Sequence, residues 1–60
     1  MRIDIISTQI KNNEFVHYVW TTVLNVVFEG DRLRIVLESG YIVEYNRQEF
    51  VTFSVTKGGQ

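Results

Sequence analysis

The chain has 60 residues, of which 45% are hydrophobic, and a formal net charge of −1. A chain of this length forms at most one domain with a thin core, and its scattered Lys and Arg residues offer little to the counterion release that drives non-specific nucleic-acid binding. It has no cysteine and one histidine, so we expect no disulfide, no metal site and no cofactor.

The apolar runs set the expected location and domain limits. None approaches the roughly 20 residues that a membrane-spanning helix needs, and no basic segment followed by a long apolar run marks a signal peptide. We therefore expect a cytoplasmic protein that does not cross a membrane. Residues 1–56 are predicted to form a single β domain, and residues 57–60 a flexible C-terminal tail.

The first predicted element is a β-hairpin. Val, Ile, Thr, Tyr, Phe and Trp dominate the sequence and alanine is absent, which is the composition of strands. Asn12 and Asn13 tolerate the left-handed conformation of a tight turn. The predicted register pairs Ile10 with Phe15, Ile6 with Val19, and Thr8 with His17.

The next span, from Glu14 to Phe28, is apolar on both of its alternating faces. A half-buried strand would be apolar on only one. We therefore predict a bend or bulge near Trp20, Thr21 and Thr22, as at a barrel corner. The alternative is that the second apolar face is an interface.

A second hairpin is predicted around Gly30-Asp31, where glycine supplies a positive φ. Its register places Glu29 beside Arg32, a favourable charge pair. On the other face, this register pairs Phe28 with Leu33, Val26 with Ile35, and Leu24 with Leu37.

A third hairpin follows through a three-residue loop that ends at Gly40. A two-residue turn would pair Ile35 with Glu44 and bury a charge. The three-residue loop instead pairs Leu37 with Tyr41, Ile35 with Val43, Leu33 with Tyr45, and Arg34 with Glu44. We expect both tyrosines to belong to the core. Beyond them, residues 46–49 are predicted to form a short 3₁₀ turn that leads into a last strand carrying Val51, Phe53 and Val55.

The expected fold is thus all-β: a small five- or six-stranded antiparallel meander, strongly bent into an SH3-like barrel or a small sandwich. The order of hairpins, short turn and last strand resembles an SH3-like barrel in topology over nearly the whole chain. The aromatic and acidic motifs of signalling SH3 domains are absent. The resemblance therefore implies a fold and no function.

No phosphate loop, dinucleotide motif, metal cluster or nucleophile motif is present. His17 lacks the oriented partner that catalysis requires, and the carboxylates fall mostly at hairpin ends or opposite basic residues. A domain of this size also lacks the walls that enclose a substrate. We therefore expect no catalytic residue and no enzymatic activity.

The strongest functional signal is apolar surface in excess of what one core absorbs. Asn25, Val36 and Ile42 are predicted to lie side by side across three strands, and apolar strips with polar rims are typical of protein interfaces. In the alternative, the terminal strand or the bent hairpin folds over the strip. The predicted interface residues are Val23, Val27, Val36, Ile42, Phe15 and Val19.

These patterns favour a non-enzymatic protein-interaction module, either a homodimer or a small subunit that docks on a larger complex. A second hypothesis is a single-stranded nucleic-acid-binding β-barrel, although the net charge disfavours it. A third is a phage or mobile-element accessory or inhibitor protein. The candidate ligand or nucleic-acid surface consists of His17, Tyr18, Trp20 and Arg47.

Overall fold

The computed structural model describes residues 1–57. These residues form an all-β domain of two three-stranded antiparallel sheets, with strand orders β2-β1-β6 and β3-β4-β5. The strands are β1 (Arg2–Lys11), β2 (Glu14–Trp20), β3 (Val23–Glu29), β4 (Arg32–Leu37), β5 (Ile42–Asn46) and β6 (Phe50–Thr56), with a 3₁₀ turn at Arg47–Glu49. Most of the predicted tail, residues 58–60, lies outside the described residues.

The first hairpin closes at the predicted asparagines, with φ angles of 55° at Asn12 and 66° at Asn13. Ile10 pairs with Phe15 as predicted. The rest of the predicted register is wrong, because β1 contains a register shift between Ile6 and Ile10. Ile6 therefore lies opposite His17, which was expected opposite Thr8, and Val19 lies opposite Asp4.

The second hairpin turns at Gly30, whose φ is 61°. The predicted pairs of Phe28 with Leu33, Val26 with Ile35 and Glu29 with Arg32 are confirmed. The predicted pair of Leu24 with Leu37 is wrong. A register shift between Val23 and Asn25 places Val23 opposite Leu37 instead, which leaves Leu24 as the extra residue of a bulge.

The third hairpin has the predicted three-residue loop. Gly40 has a φ of 97°, and its N–H donates to the Leu37 carbonyl oxygen at 2.9 Å. The predicted pairs along β4 and β5 are confirmed. Tyr41 does not belong to the core, as its 76% exposure shows. It precedes the first residue of β5, at the end of the sheet, where neighbouring side chains cover it little.

The core lies between the inner faces of the two sheets. Its residues are less than a tenth exposed, and each such apolar side chain stabilises the fold by roughly 1.5–3 kcal/mol. They are Ile3, Ile5, Val23, Leu33, Ile35, Leu37 and Phe50. Val23 is therefore a core residue, and its predicted position on an outer face is wrong.

The chain passes between the sheets at the two places that the sequence indicated. Between β2 and β3, Thr22 has a φ of 53°, a strained value for a β-branched residue, and this is the predicted bend. The predicted 3₁₀ turn also forms, between β5 and β6. In β6 the inward side chains include Phe50 as well as Phe53, because the register with β1 shifts between Ile6 and Ser7.

Strand pairing within residues 1–57 occurs inside each sheet and not between the sheets. Two seams therefore run between edge strands. We call the seam between β3 and β6 the phenylalanine seam, because the rings of Phe28 and Phe53 meet there. The seam between β2 and β5 is the tyrosine seam, where Tyr18 approaches Tyr45. The described part of the chain contains no helix long and apolar enough to span a membrane.

Candidate functional site

The phenylalanine seam holds a cluster of three aromatic rings. The ring centroids of Phe28, Phe50 and Phe53 lie 5.6 to 5.9 Å apart in edge-to-face arrangements, a geometry that aromatic pairs favour. Phe50 is buried, but Phe28 remains 48% exposed. The cluster therefore has a buried side and a side that water reaches.

A groove of about 400 Å³ runs along this open side. Apolar side chains from both edge strands line it, and its one charged side chain is a lysine. The lining residues are Met1, Asn25, Val26, Phe28, Phe53, Val55 and Lys57. This surface fits an apolar occupant better than a polar small molecule.

Strand β3 forms one wall of the groove and is an edge strand, since within residues 1–57 the strand it pairs with is β4. The start of its outer edge is occupied, because the Val23 N–H donates to the Met1 carbonyl oxygen at 3.1 Å. Three apolar residues of β3 are exposed: Leu24 by 63%, Val27 by 40% and Phe28 by 48%. The one charged residue of β3 is Glu29, at its end. In proteins that stay monomeric, edge strands usually carry Lys, Pro or a charged residue near the middle of the strand. Strand β3 carries none of these.

The outer face of the second sheet carries part of the predicted interface. Asn25, Val36 and Ile42 lie side by side as predicted. Below them, the Arg34 Nε donates to Glu44 Oε2 at 3.0 Å, and Val27 lies opposite Arg34. The exposed apolar area is therefore a short strip that ends at an ion pair.

The outer face of the first sheet carries Phe15 and Val19, which are about half exposed. A polar cluster lies beside Val19, because Asp4 Oδ1 is 2.9 Å from Arg2 Nη2 and 3.3 Å from His17 Nε2. The hydrogen bond from Arg2 holds the pKa of the Asp4 carboxyl below its ordinary value, against the opposing effect of desolvation. These charges interrupt the apolar area of this face.

The tyrosine seam is closed by polar contacts instead. The Trp20 indole N–H donates to the Tyr45 hydroxyl at 3.0 Å, and the Tyr18 hydroxyl donates to Gln9 Oε1 at 2.9 Å. A second groove, of about 350 Å³, lies at this seam. Its lining residues are Ser7, Thr8, Gln9, Tyr18, Tyr45 and Glu49.

The structure does not assemble the predicted ligand surface. His17 faces outward from the first sheet beside Asp4, whereas Tyr18 and Trp20 pack against the core. Arg47 lies at the 3₁₀ turn, 4.8 Å above the Phe50 ring, and donates to the Phe50 carbonyl oxygen. The prediction that these four side chains share one surface is wrong, and nucleic-acid binding stays an untested prediction.

Sequence reasoning missed Leu24, Phe28 and the phenylalanine seam. The signal was present, because β3 has apolar residues on both alternating faces and almost no charge. Among residues 1–57, no three His, Cys, Asp or Glu side chains are placed to hold a metal ion. No protein-family model, curated protein or solved structure matches the chain.

Proposed function

We propose that this chain is a non-enzymatic protein-interaction module that forms a homodimer through the edge of β3. The observation that supports this proposal is the exposure of Leu24, Val27 and Phe28 on a strand that pairs on one side only. An exposed apolar edge strand presents free backbone N–H and C=O groups beside apolar surface. A second strand hydrogen-bonds to these backbone groups and covers the apolar surface.

A second copy of β3 suits this edge because the strand is self-complementary. Two-fold symmetry pairs a patch with itself, and an antiparallel pairing centred on Val26 places Phe28 of one copy opposite Leu24 of the other. In that register, the new backbone pairing runs between Leu24 and Phe28, and Glu29 of each copy lies opposite Val23, whose N–H already donates to the Met1 carbonyl oxygen. The two Glu29 carboxylates are then six residues apart along the strands, about 20 Å, so they do not repel strongly.

The groove beside β3 extends the same surface. Dimerisation at the edge would bring the partner's side chains over Phe28 and Val26, which line the groove, and would bury apolar area at about 25 cal/mol per Å². Val27, on the outer face, extends the contact toward the predicted strip. The proposal thus includes Val27, one of the predicted interface residues, and leaves Phe15 outside the contact.

The SH3-like arrangement also remains a proposal. Two three-stranded antiparallel sheets, packed face to face and linked through a 3₁₀ turn, are compatible with it. Such folds host many unrelated functions. The homodimer proposal therefore rests on the exposed edge strand and not on a fold name.

The test is the mass of the protein in solution, measured by size-exclusion chromatography with light scattering. We expect a dimer for the unchanged chain and a monomer for Leu24→Lys and Val27→Lys, because lysine at an edge strand opposes pairing. Leu24 is 63% exposed, so its replacement should leave the fold intact. Circular dichroism and thermal melting check that point.

Val19→Lys is the matched control. Val19 is 44% exposed, close to the 40% of Val27, and it also lies on an edge strand, β2. We expect Val19→Lys to stay dimeric. A monomeric unchanged chain at high concentration contradicts the proposal. The proposal is also contradicted if Ile42→Lys disrupts the dimer and Leu24→Lys does not. That result would place the interface on the outer strip.

A further inference from the structure

We propose that the groove at the tyrosine seam binds an alkylammonium group, such as the side chain of a lysine or a quaternary ammonium ion. The groove brings two tyrosine rings, a carboxylate and several oxygen acceptors to one place. It lies at the β2 and β5 edges and is separate from the β3 edge used in the proposed dimer.

The aromatic part of the groove consists of Tyr18 and Tyr45. Their ring centroids are 6.4 Å apart and the ring planes are inclined by 38°. A cation within about 6 Å of a ring centroid is attracted by the negative face of the ring, and recognition of ammonium ligands commonly uses several rings. A ligand in this groove would contact both rings, because both line it.

Both rings are held in place before any ligand binds. The Trp20 indole N–H donates to the Tyr45 hydroxyl, and the Tyr18 hydroxyl donates to Gln9 Oε1. Each bond fixes one ring from its polar end. A fixed site binds more tightly than a mobile one, since less conformational entropy is lost on binding.

The charge of the groove selects a cation. Glu49 is the one charged residue among the lining side chains, and its Oε1 accepts the Asn46 N–H at 2.7 Å, which leaves Oε2 for a ligand. The nearest basic residue in sequence, Arg47, is engaged with the Phe50 carbonyl and ring. The remaining lining side chains, from Ser7, Thr8 and Gln9, are uncharged, and their oxygen atoms already take part in hydrogen bonds within the chain.

The size of the groove also fits. Its volume of about 350 Å³ lies at the lower end of the roughly 300–1,000 Å³ that is usual for small-molecule sites. One ammonium head group with its methyl or methylene neighbours is smaller than this, so the groove also has room for part of the chain that carries the group. A lysine from an extended peptide could enter from the edge of β2 or β5, which pair on one side only within residues 1–57.

The experiment is a titration followed by amide NMR shifts and by the fluorescence of Trp20, the one tryptophan. The probes are choline and its neutral isostere 3,3-dimethylbutan-1-ol, which share a shape and differ in charge. We expect shifts at Tyr18, Tyr45 and Glu49 with choline, and binding of the isostere at least about fivefold weaker. Equal binding of both compounds, or no shift up to about 50 mM choline, overturns the proposal.

Two variants and a control locate the binding. Glu49→Gln and Tyr18→Leu should each weaken choline binding about fivefold or more, while Glu14→Gln makes the same charge change at the start of β2, outside the groove, and should have no effect. Equal weakening by Glu14→Gln and Glu49→Gln would overturn the proposal, because it would show a non-specific charge effect. Melting curves confirm that each variant folds.

A last pair of probes separates the sources of the ammonium group. Butylamine carries the lysine head group without a peptide backbone. The capped peptide Gly-Gly-Lys-Gly-Gly carries the same head group on a backbone. Tighter binding of the peptide assigns the site to a lysine of another protein, because the backbone then pairs with a strand edge. Equal affinity assigns it to a free amine. Failure of both probes and of choline contradicts the inference and leaves the proposed dimer unaffected.

Discussion

The two seams of this small β domain are built from the same kind of parts and differ in what they leave exposed. At the tyrosine seam, hydroxyl and indole groups bond across the gap, as Trp20 does with Tyr45. At the phenylalanine seam, the apolar rings of Phe28 and Phe53 meet, and a backbone hydrogen bond from the Val23 N–H to the Met1 carbonyl oxygen lies at the start of β3. Because apolar contact is non-directional, we propose that the phenylalanine seam accepts another copy of β3 and that the tyrosine seam binds a ligand with a defined charge.

The largest effect is expected from Phe53→Ala in the phenylalanine seam. This change removes a ring that contacts both Phe28 and Phe50, and loss of such a packed ring costs about 3 kcal/mol. For a 60-residue domain, that is a large part of the free energy of unfolding. Chemical denaturation of a monomeric background carrying Leu24→Lys measures it.

Val51→Ala in the same strand is the control for that measurement. Val51 is 43% exposed and takes no part in the ring cluster, so the free energy of unfolding should fall by about 0.5 kcal/mol or less. Similar losses for the two variants would show that the ring cluster does not stabilise the seam.

A smaller effect is expected at the tyrosine seam. Trp20→Phe removes the indole donor to the Tyr45 hydroxyl, and Tyr45→Phe removes the acceptor. Each loss of this bond should cost about 1 kcal/mol in addition to any change in packing. In the double variant the two costs should not add, because both changes remove the same bond. Fully additive losses, measured by denaturation, would contradict a bond across this seam.

The smallest effect is expected on the outer face of the first sheet, which neither seam involves. The pKa of Asp4 is lowered in the folded state, chiefly by the Arg2 hydrogen bond. Its contribution to stability is therefore present above the unfolded pKa and is lost as the pH falls below about 4. Asp4→Asn should slightly flatten the loss of melting temperature in acid. An unchanged acid profile would show that this exposed pair adds nothing.

The local parts of the fold could be predicted from the sequence. Turn chemistry at Asn12 and Gly30 fixed two hairpins, and cross-strand charge pairs such as Arg34 with Glu44 identified the third register. These signals lie within a few residues of each turn. Farther from the turns, the matching of like groups did not suffice. The apolar pairs Ile6 with Val19 and Leu24 with Leu37 were predicted, but Val19 lies opposite Asp4 and Leu37 opposite Val23.

The errors in strand register share one physical origin. Ile6, Leu24 and Val51 lie at register shifts or bulges, and a bulge reverses which face the residues beyond it occupy. Such bulges form where a strand must bend to cover the other sheet. That requirement is set by the packing of the whole domain and not by local alternation.

The sequence predicted that apolar surface would be exposed, but it did not predict which residues form that surface. Excess apolar residues between Glu14 and Phe28 indicated an interface, but Val23 belongs to the core while Leu24 and Phe28 are exposed. The positions of the seams depend on which edge strands of the two sheets meet. No pattern within one strand carries that information.

The most direct test of the proposed dimer is a nuclear Overhauser measurement between the Leu24 methyl groups and the Phe28 ring. Within one chain these residues are four positions apart on a strand, about 13 Å, which is too far for a direct signal. The antiparallel pairing of two β3 strands places them opposite each other. In a sample that mixes labelled and unlabelled chains, we predict an intermolecular signal between Leu24 and Phe28. Intermolecular signals from Val36 and Ile42 alone, or none, would contradict pairing at the β3 edge.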